Sequence, residues 1–138
     1  MSLVLDSSIT LAWVYADETT STIREIFQQV RKRGAWVPAL WHLELGNALE
    51  MGVRRRRNDR KFRDSTFADL SLLPIHVDPE TDQHAWGTTA HLAEQYGLTL
   101  YDAAYLELAQ RRGLPLATLD VDLRRAARRD GTPVLDIN

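Results

Sequence analysis

Four carboxylates occupy positions where acid chemistry is possible. Asp6 closes the apolar run LVL and is followed by Ser7 and Ser8, and Asp120 closes the run PLATL. Both could simply cap the helices that follow, and if Asp6 serves a site instead, Ser7 or Ser8 can do that capping. In open parallel sheets, however, ligands bind beyond the carboxyl ends of the strands. If these two strands are parallel and central, Asp6 and Asp120 therefore point into one crevice. Glu44 lies in LWHLELGNALEMG, and its helical neighbours are Leu40, Trp41, Asn47 and Ala48, none of them cationic. Glu50 in the same segment has Arg54 four residues on and reads as a solvated pair. An inward-facing Glu44 needs a partner such as a metal ion, whereas one at the margin of the apolar stripe reaches water. Asp102 lies in TLYDAAYLELA, where Thr99 and Asp102 also fit a T-x-x-D capping pattern.

Acids that converge in this way repel one another unless some are protonated or a cation holds them. Oxygen ligands favour a hard ion, Mg²⁺ or Mn²⁺. Such ions activate water and stabilise the leaving oxygen of a phosphodiester. Basic residues are the natural complement. Fifteen of the 17 are Arg, and seven of them fall within RRRRNDRKFR, Arg54 to Arg63, if Lys61 is counted. A second group is Arg124, Arg125, Arg128 and Arg129. These clusters read either as solvated helix faces or as contacts to phosphate or to an acidic partner.

Hydrophobic spacing indicates the elements that must position these groups. Strands are predicted at 2–6, AWVP, 74–77, LPLATLD and PVLDI. Helices are predicted at 7–16, 20–33, 40–57, 59–72, 80–97 and 99–113 and over DLRRAARRDG, with Gly34, Gly97 and Gly113 as stops. Alternating strands and helices with short connections imply an α/β fold with a mainly parallel central sheet and helices on both faces. No repeat or linker interrupts the chain, so residues 1–138 read as one domain. Asp122 is read as a cap for the helix that follows it.

The composition bounds the function classes. Apolar residues make up 44% and charged residues 26%, as in ordinary soluble domains. No apolar run approaches the roughly 20 residues of a membrane helix, and no signal-peptide pattern is present. Cysteine is absent, which excludes disulfides and thiolate zinc sites. A cytoplasmic location is the expectation. The four histidines show no metal-ligand spacing. The tryptophans read as core or interface residues. Nucleophile-elbow and phosphate-loop motifs are absent.

LVLDSS, ELGNAL, LTLYDAAYLELA and LATLD, in this order and at these spacings, resemble the PIN domain, and in particular the VapC type of toxin ribonuclease. The resemblance spans nearly the whole chain. It implies a Mg²⁺- or Mn²⁺-dependent endoribonuclease with Asp6, Glu44, Asp102 and Asp120 as its acidic quartet. Asp6 and Asp102 would be the main metal ligands, with Glu44 and Asp120 completing the site. Asn47 would brace the pocket, and Ser7 and Thr118 match positions that carry small hydroxyls. The implied partners are an RNA substrate, a VapB-type antitoxin and a second copy of the chain. Residues 20–57, with Trp36, Trp41 and Met51, would offer the antitoxin an apolar groove.

Two rival readings remain. A haloacid-dehalogenase-like or receiver-type phosphoryl-transfer domain is disfavoured, because D-x-D is missing after the first strand and Lys32 and Lys61 lie in helical segments. A non-catalytic module that binds RNA or an Arg-rich peptide would keep the acids without cleaving anything.

Overall fold

The computed structural model describes residues 2–137. Four strands, β1 (Val4–Leu5), β2 (Ala35–Val37), β3 (Ile75–Val77) and β4 (Leu116–Ala117), form one sheet in the order β3-β2-β1-β4. All pairings are parallel. Leu3, Val4, Leu5, Leu116 and Ala117 are fully buried. Successive side chains on a strand point to opposite faces, so consecutive burial means that the sheet is covered on both sides. The α/β expectation therefore holds.

Eight α-helices surround the sheet: α1 (Ser7–Val14), α2 (Ser21–Arg33), α3 (Trp41–Arg54), α4 (Arg60–Leu70), α5 (Thr81–Ala85), α6 (Thr88–Tyr96), α7 (Leu100–Arg112) and α8 (Val121–Asp130). Three of them, α1, α3 and α8, follow β1, β2 and β4 directly, so their first turns gather at the carboxyl edge of the sheet. α7 is the central helix. Residues 103 to 109 are all buried, and the helix packs against β1, β4, α5, α6 and α8. Thr99 caps it, with its hydroxyl accepting from the Asp102 N–H at 3.1 Å. Gly113 stops it in the left-handed region at φ 63°, where a side chain would add strain.

The far end of α7 is tied down by charge. Asp78, just past β3, is buried, and it accepts from Arg111 Nη2 at 2.6 Å, Arg112 Nη2 at 3.1 Å and Thr81 Oγ1 at 3.1 Å. Arg111 also pairs with Glu107 and Glu80, and the Arg112 guanidinium lies 3.5 Å over the Trp36 ring. A buried carboxylate with this many cationic donors is an anchor rather than a reactive group.

Two predicted elements differ from expectation. The helix predicted over 80–97 is broken into α5 and α6 at Trp86 and Gly87. Gly87 has φ −113° and ψ −107°, outside the helical region, and α6 restarts with His91 N–H donating to Gly87 O. Trp86, expected to serve core or interface, is 94% exposed at this corner. The predicted last strand, PVLDI, shrinks to a single parallel bridge between Leu116 and Val134. Pro133 has no N–H to extend a ladder, so its carbonyl alone takes part, accepting from Leu116.

The Asp78 anchor has a pH signature. Burial pushes its carboxyl up, but donation from Arg111, Arg112 and Thr81 outweighs this and holds it at about 2, below the ordinary 3.8. The ion pairs thus contribute in full above about pH 4 and lose their contribution as pH falls towards 2, a loss of ~2 kcal/mol. Asp78→Asn is expected to lower urea-unfolding stability by about 3 kcal/mol at pH 7 and to flatten the decline between pH 4 and 2. A variant as stable as the wild type at pH 7 would contradict the anchor.

Candidate active site

The register sets the first contact. Leu5 pairs with Ala117, so the next residues, Asp6 and Thr118, face each other where the two strands end. Asp6 is 5% exposed. Its Oδ2 accepts from Thr118 Oγ1 at 2.6 Å and from Ser8 Oγ at 2.7 Å. Both hydroxyls are used twice: Ser8 Oγ accepts from Leu119 N–H and Thr118 Oγ1 from Asp120 N–H. Asp6 holds the N-cap position of α1 but makes no side-chain cap bond, and neither serine supplies one. The expectation that Ser7 or Ser8 caps α1 is therefore corrected, because Ser8 is committed to the loop after β4. Burial raises the Asp6 carboxyl above its ordinary value, Asp120 raises it further, and the two hydroxyls partly offset this.

Glu44 projects from the first turn of α3 and is half-buried. It accepts from the hydroxyl of Tyr105 on α7, and the Ser7 hydroxyl also draws its carboxyl down. Burial nonetheless raises it, with Asp6 and Asp102 adding to the effect. Asp102, in the first turn of α7, is raised by burial and then by Asp120 and Asp6. The T-x-x-D capping and the inward carboxylate coexist: Thr99 does the capping and leaves the Asp102 carboxylate to the crevice. Asp6 thus lies close enough to act on Glu44, Asp102 and Asp120, and Asp102 on Glu44 and Asp120.

Asp120 is the N-cap of α8, its Oδ1 accepting from Leu123 N–H at 2.8 Å. This corrects the assignment of that cap to Asp122, which is exposed in the first turn and pairs with Arg125 at 3.6 Å. Asn47 lies one turn beyond Glu44 but is exposed, and its side chain bonds no other described residue. Two members were missed by sequence reasoning, Tyr105 and Ser8. Tyr105 follows Asp102 by three residues on one helix face, and a buried phenol needs a polar partner, so YDAAY carried a usable signal.

Among the described residues, no arginine, lysine or histidine bonds to Asp6, Glu44 or Asp102 or stands among the main influences on their carboxyls. The donor set is entirely oxygen and negatively charged, which suits a hard divalent cation. Among the described residues, no three His, Asp or Glu side chains are already gathered into a metal-holding group. The fit lies in donor chemistry and shared location.

The surroundings revise one further expectation. Trp36 lies under Arg112 and lines no groove among the described residues, whereas Trp41, largely buried in the core, borders an apolar pocket with Leu45, Phe67 and Leu70. Further apolar grooves run beside Trp13, Val14 and Phe27, with Phe62 and Leu70 on the α4 side. Beside the acids the exposed apolar residues are Leu43, Leu100, Tyr101, Leu119 and Val121.

Comparison with known proteins agrees with this geometry. The PIN domain family model matches residues 3–129. Ribonuclease VapC3 of Pyrobaculum aerophilum is 26% identical over 125 residues, which cover 89% of this chain and 92% of that protein. Among solved structures, VapBC2 from Rickettsia felis, bound to a DNA fragment from their promoter, superposes with a TM-score of 0.65 at 16% identity, covering 99% of this chain and 98% of that one. A toxin-antitoxin complex from Klebsiella pneumoniae gives 0.55 at 15% identity, covering 86% of each. At such identities the superpositions establish the fold.

The unrelieved charge implies a stability cost. A carboxyl raised in the folded state opposes folding where it is ionised, and the cost disappears as pH falls through its raised value. Asp102→Asn in EDTA is therefore expected to be more stable than the wild type at pH 7, by about 1 kcal/mol or about 4 °C in melting temperature. The gap should close in acid. A less stable variant at pH 7 would show that the Asp102 charge is compensated.

Proposed function

The chain belongs to the PIN domain family, and on that premise we propose that it is a metal-dependent endoribonuclease of the VapC type, the toxin of a toxin–antitoxin pair. The observation that carries this reading is the nearness of Asp6, Glu44 and Asp102, which act on one another electrostatically and, among the described residues, have no cationic side chain as a bonding partner. The similarity to a protein named Ribonuclease VapC3 supports the ribonuclease assignment. The fold shared with a toxin-antitoxin complex supports an antitoxin partner.

In this reading Asp6 and Asp102 hold Mg²⁺ or Mn²⁺, with Glu44 and Asp120 completing the site through water or a second ion. A bound divalent cation supplies an activated water and a counter-charge for the leaving oxygen of the phosphodiester. The protein's own task is orientation. Ser8 and Thr118 both donate to Oδ2 of Asp6 and fix its carboxylate. The cap by Thr99 fixes the turn that carries Asp102. The groove beside Trp13 and Phe27 suits the apolar face of an antitoxin segment, and a second copy of the chain is a further partner. The substrate is RNA.

The test is cleavage of a structured RNA pool by purified protein with Mg²⁺ or Mn²⁺. Cleavage is expected to fall by more than about 100-fold with EDTA, in Asp6→Asn and in Asp102→Asn. A wild type that neither cleaves RNA nor binds the metal would favour the non-catalytic binding module.

A further inference from the structure

We propose that Tyr105 is a positioning residue that orients Glu44 for cation binding without cancelling its charge. This inference rests on the metal-dependent reading above. Tyr105 is fully buried on α7, one turn beyond Asp102. Its hydroxyl donates to Oε1 of Glu44, so a single hydrogen bond joins the helix that carries Asp102 to the helix that carries Glu44. The Ser7 hydroxyl adjoins both groups.

The type of donor is informative. A guanidinium or ammonium would hold Glu44 as firmly but would neutralise the charge a cation requires. A phenol donates one proton and brings no positive charge of its own. The same choice recurs at Asp6, which is held by the neutral hydroxyls of Ser8 and Thr118. It is reversed at Asp78, a buried acid away from the site, which is held by two arginines. Asp6 and Glu44 are held by neutral hydroxyls, and the acid that anchors the fold is neutralised by guanidinium groups. Tyr105 follows the first pattern.

The experiment is calorimetric titration of metal-free protein with Mn²⁺ for four forms: wild type, Tyr105→Phe, Glu44→Gln and the double variant. Phe keeps the ring and its packing, and melting in EDTA checks that the fold is retained. Tyr105→Phe is expected to weaken Mn²⁺ binding about tenfold and to lower kcat on the RNA pool with KM little changed. In the Glu44→Gln background the same change is expected to weaken binding less than about twofold, because the group it positions is altered. Unchanged Mn²⁺ affinity in Tyr105→Phe would overturn the proposal while leaving the metal-dependent reading intact. Equal losses in both backgrounds would also overturn it, since general loosening of the core acts alike in each. A wild type that binds no Mn²⁺ would overturn the metal-dependent reading and this proposal together.

Discussion

Asp6, Glu44 and Asp102 bring like charge into a half-buried crevice, and the groups that hold them add no positive charge. Each carboxyl lies above its ordinary value, with burial the first cause and the neighbouring acids a further one. A structure can sustain this only if the scaffold fixes the acids from behind. Here it does so with strand ends, first turns of helices and neutral hydroxyls. Three parallel strands deliver Asp6, Glu44 and Asp120 to the same edge through the helices that follow them, and α7 brings Asp102 and Tyr105 to meet them.

That concentration of repulsion is offset elsewhere. The core is continuous from the sheet through α7, whose buried run from Ala103 to Ala109 is interrupted in polarity only by Tyr105 and Glu107. Each of those two has a role. Tyr105 serves the crevice, and Glu107 joins Arg111 in the ion network around Asp78. The two ends of α7 therefore differ in electrostatic character. The N-terminal end holds uncompensated carboxylates, and the C-terminal end holds a compensated one that stabilises the helix against the sheet. A single stiff element links a costly site to its stabilising anchor.

Much of this was legible in sequence, because the signals were local. Asp6 and Asp120 end apolar runs, Gly34, Gly97 and Gly113 stop helices, and Glu44 lacks a cation at helical spacing. The strand order that makes Asp6 and Asp120 neighbours is not local, and the inference stayed conditional until the register was known. The unforeseen features are tertiary. Ser8 looked like a cap because local pattern favours capping, but the loop after β4 captures its hydroxyl. Asp122 looked like the cap of α8 because it precedes the apolar spacing, yet α8 starts at Val121 and Asp120 is the residue just before it. Gly87 broke a helix that periodicity extended through it. Trp36 looked available for a partner because aromatic content alone does not reveal what covers a ring.

The arginines, too, divide by what they already bind. Arg54 and Arg63 pair with Glu50, while Arg57 pairs with Asp17 and Glu18 and lies 3.7 Å over Tyr15. Arg124 donates to Thr118 O and Leu135 O, which makes it a brace for the loop behind Asp6. Arg55, Arg56, Arg60 and Lys61 are exposed and carry no ion pair among the described residues. They lie beyond the far end of α3, ten residues or ~15 Å along the helix from Glu44 to Arg54. A side chain there cannot neutralise a phosphate lying against the acids. On the ribonuclease reading, the crevice without a cation repels the very backbone it is built to cut, and the distant arginines can attract RNA only to the flank. A cation held by these acids would then do more than supply chemistry, since it would offset part of the negative charge that a phosphate must approach.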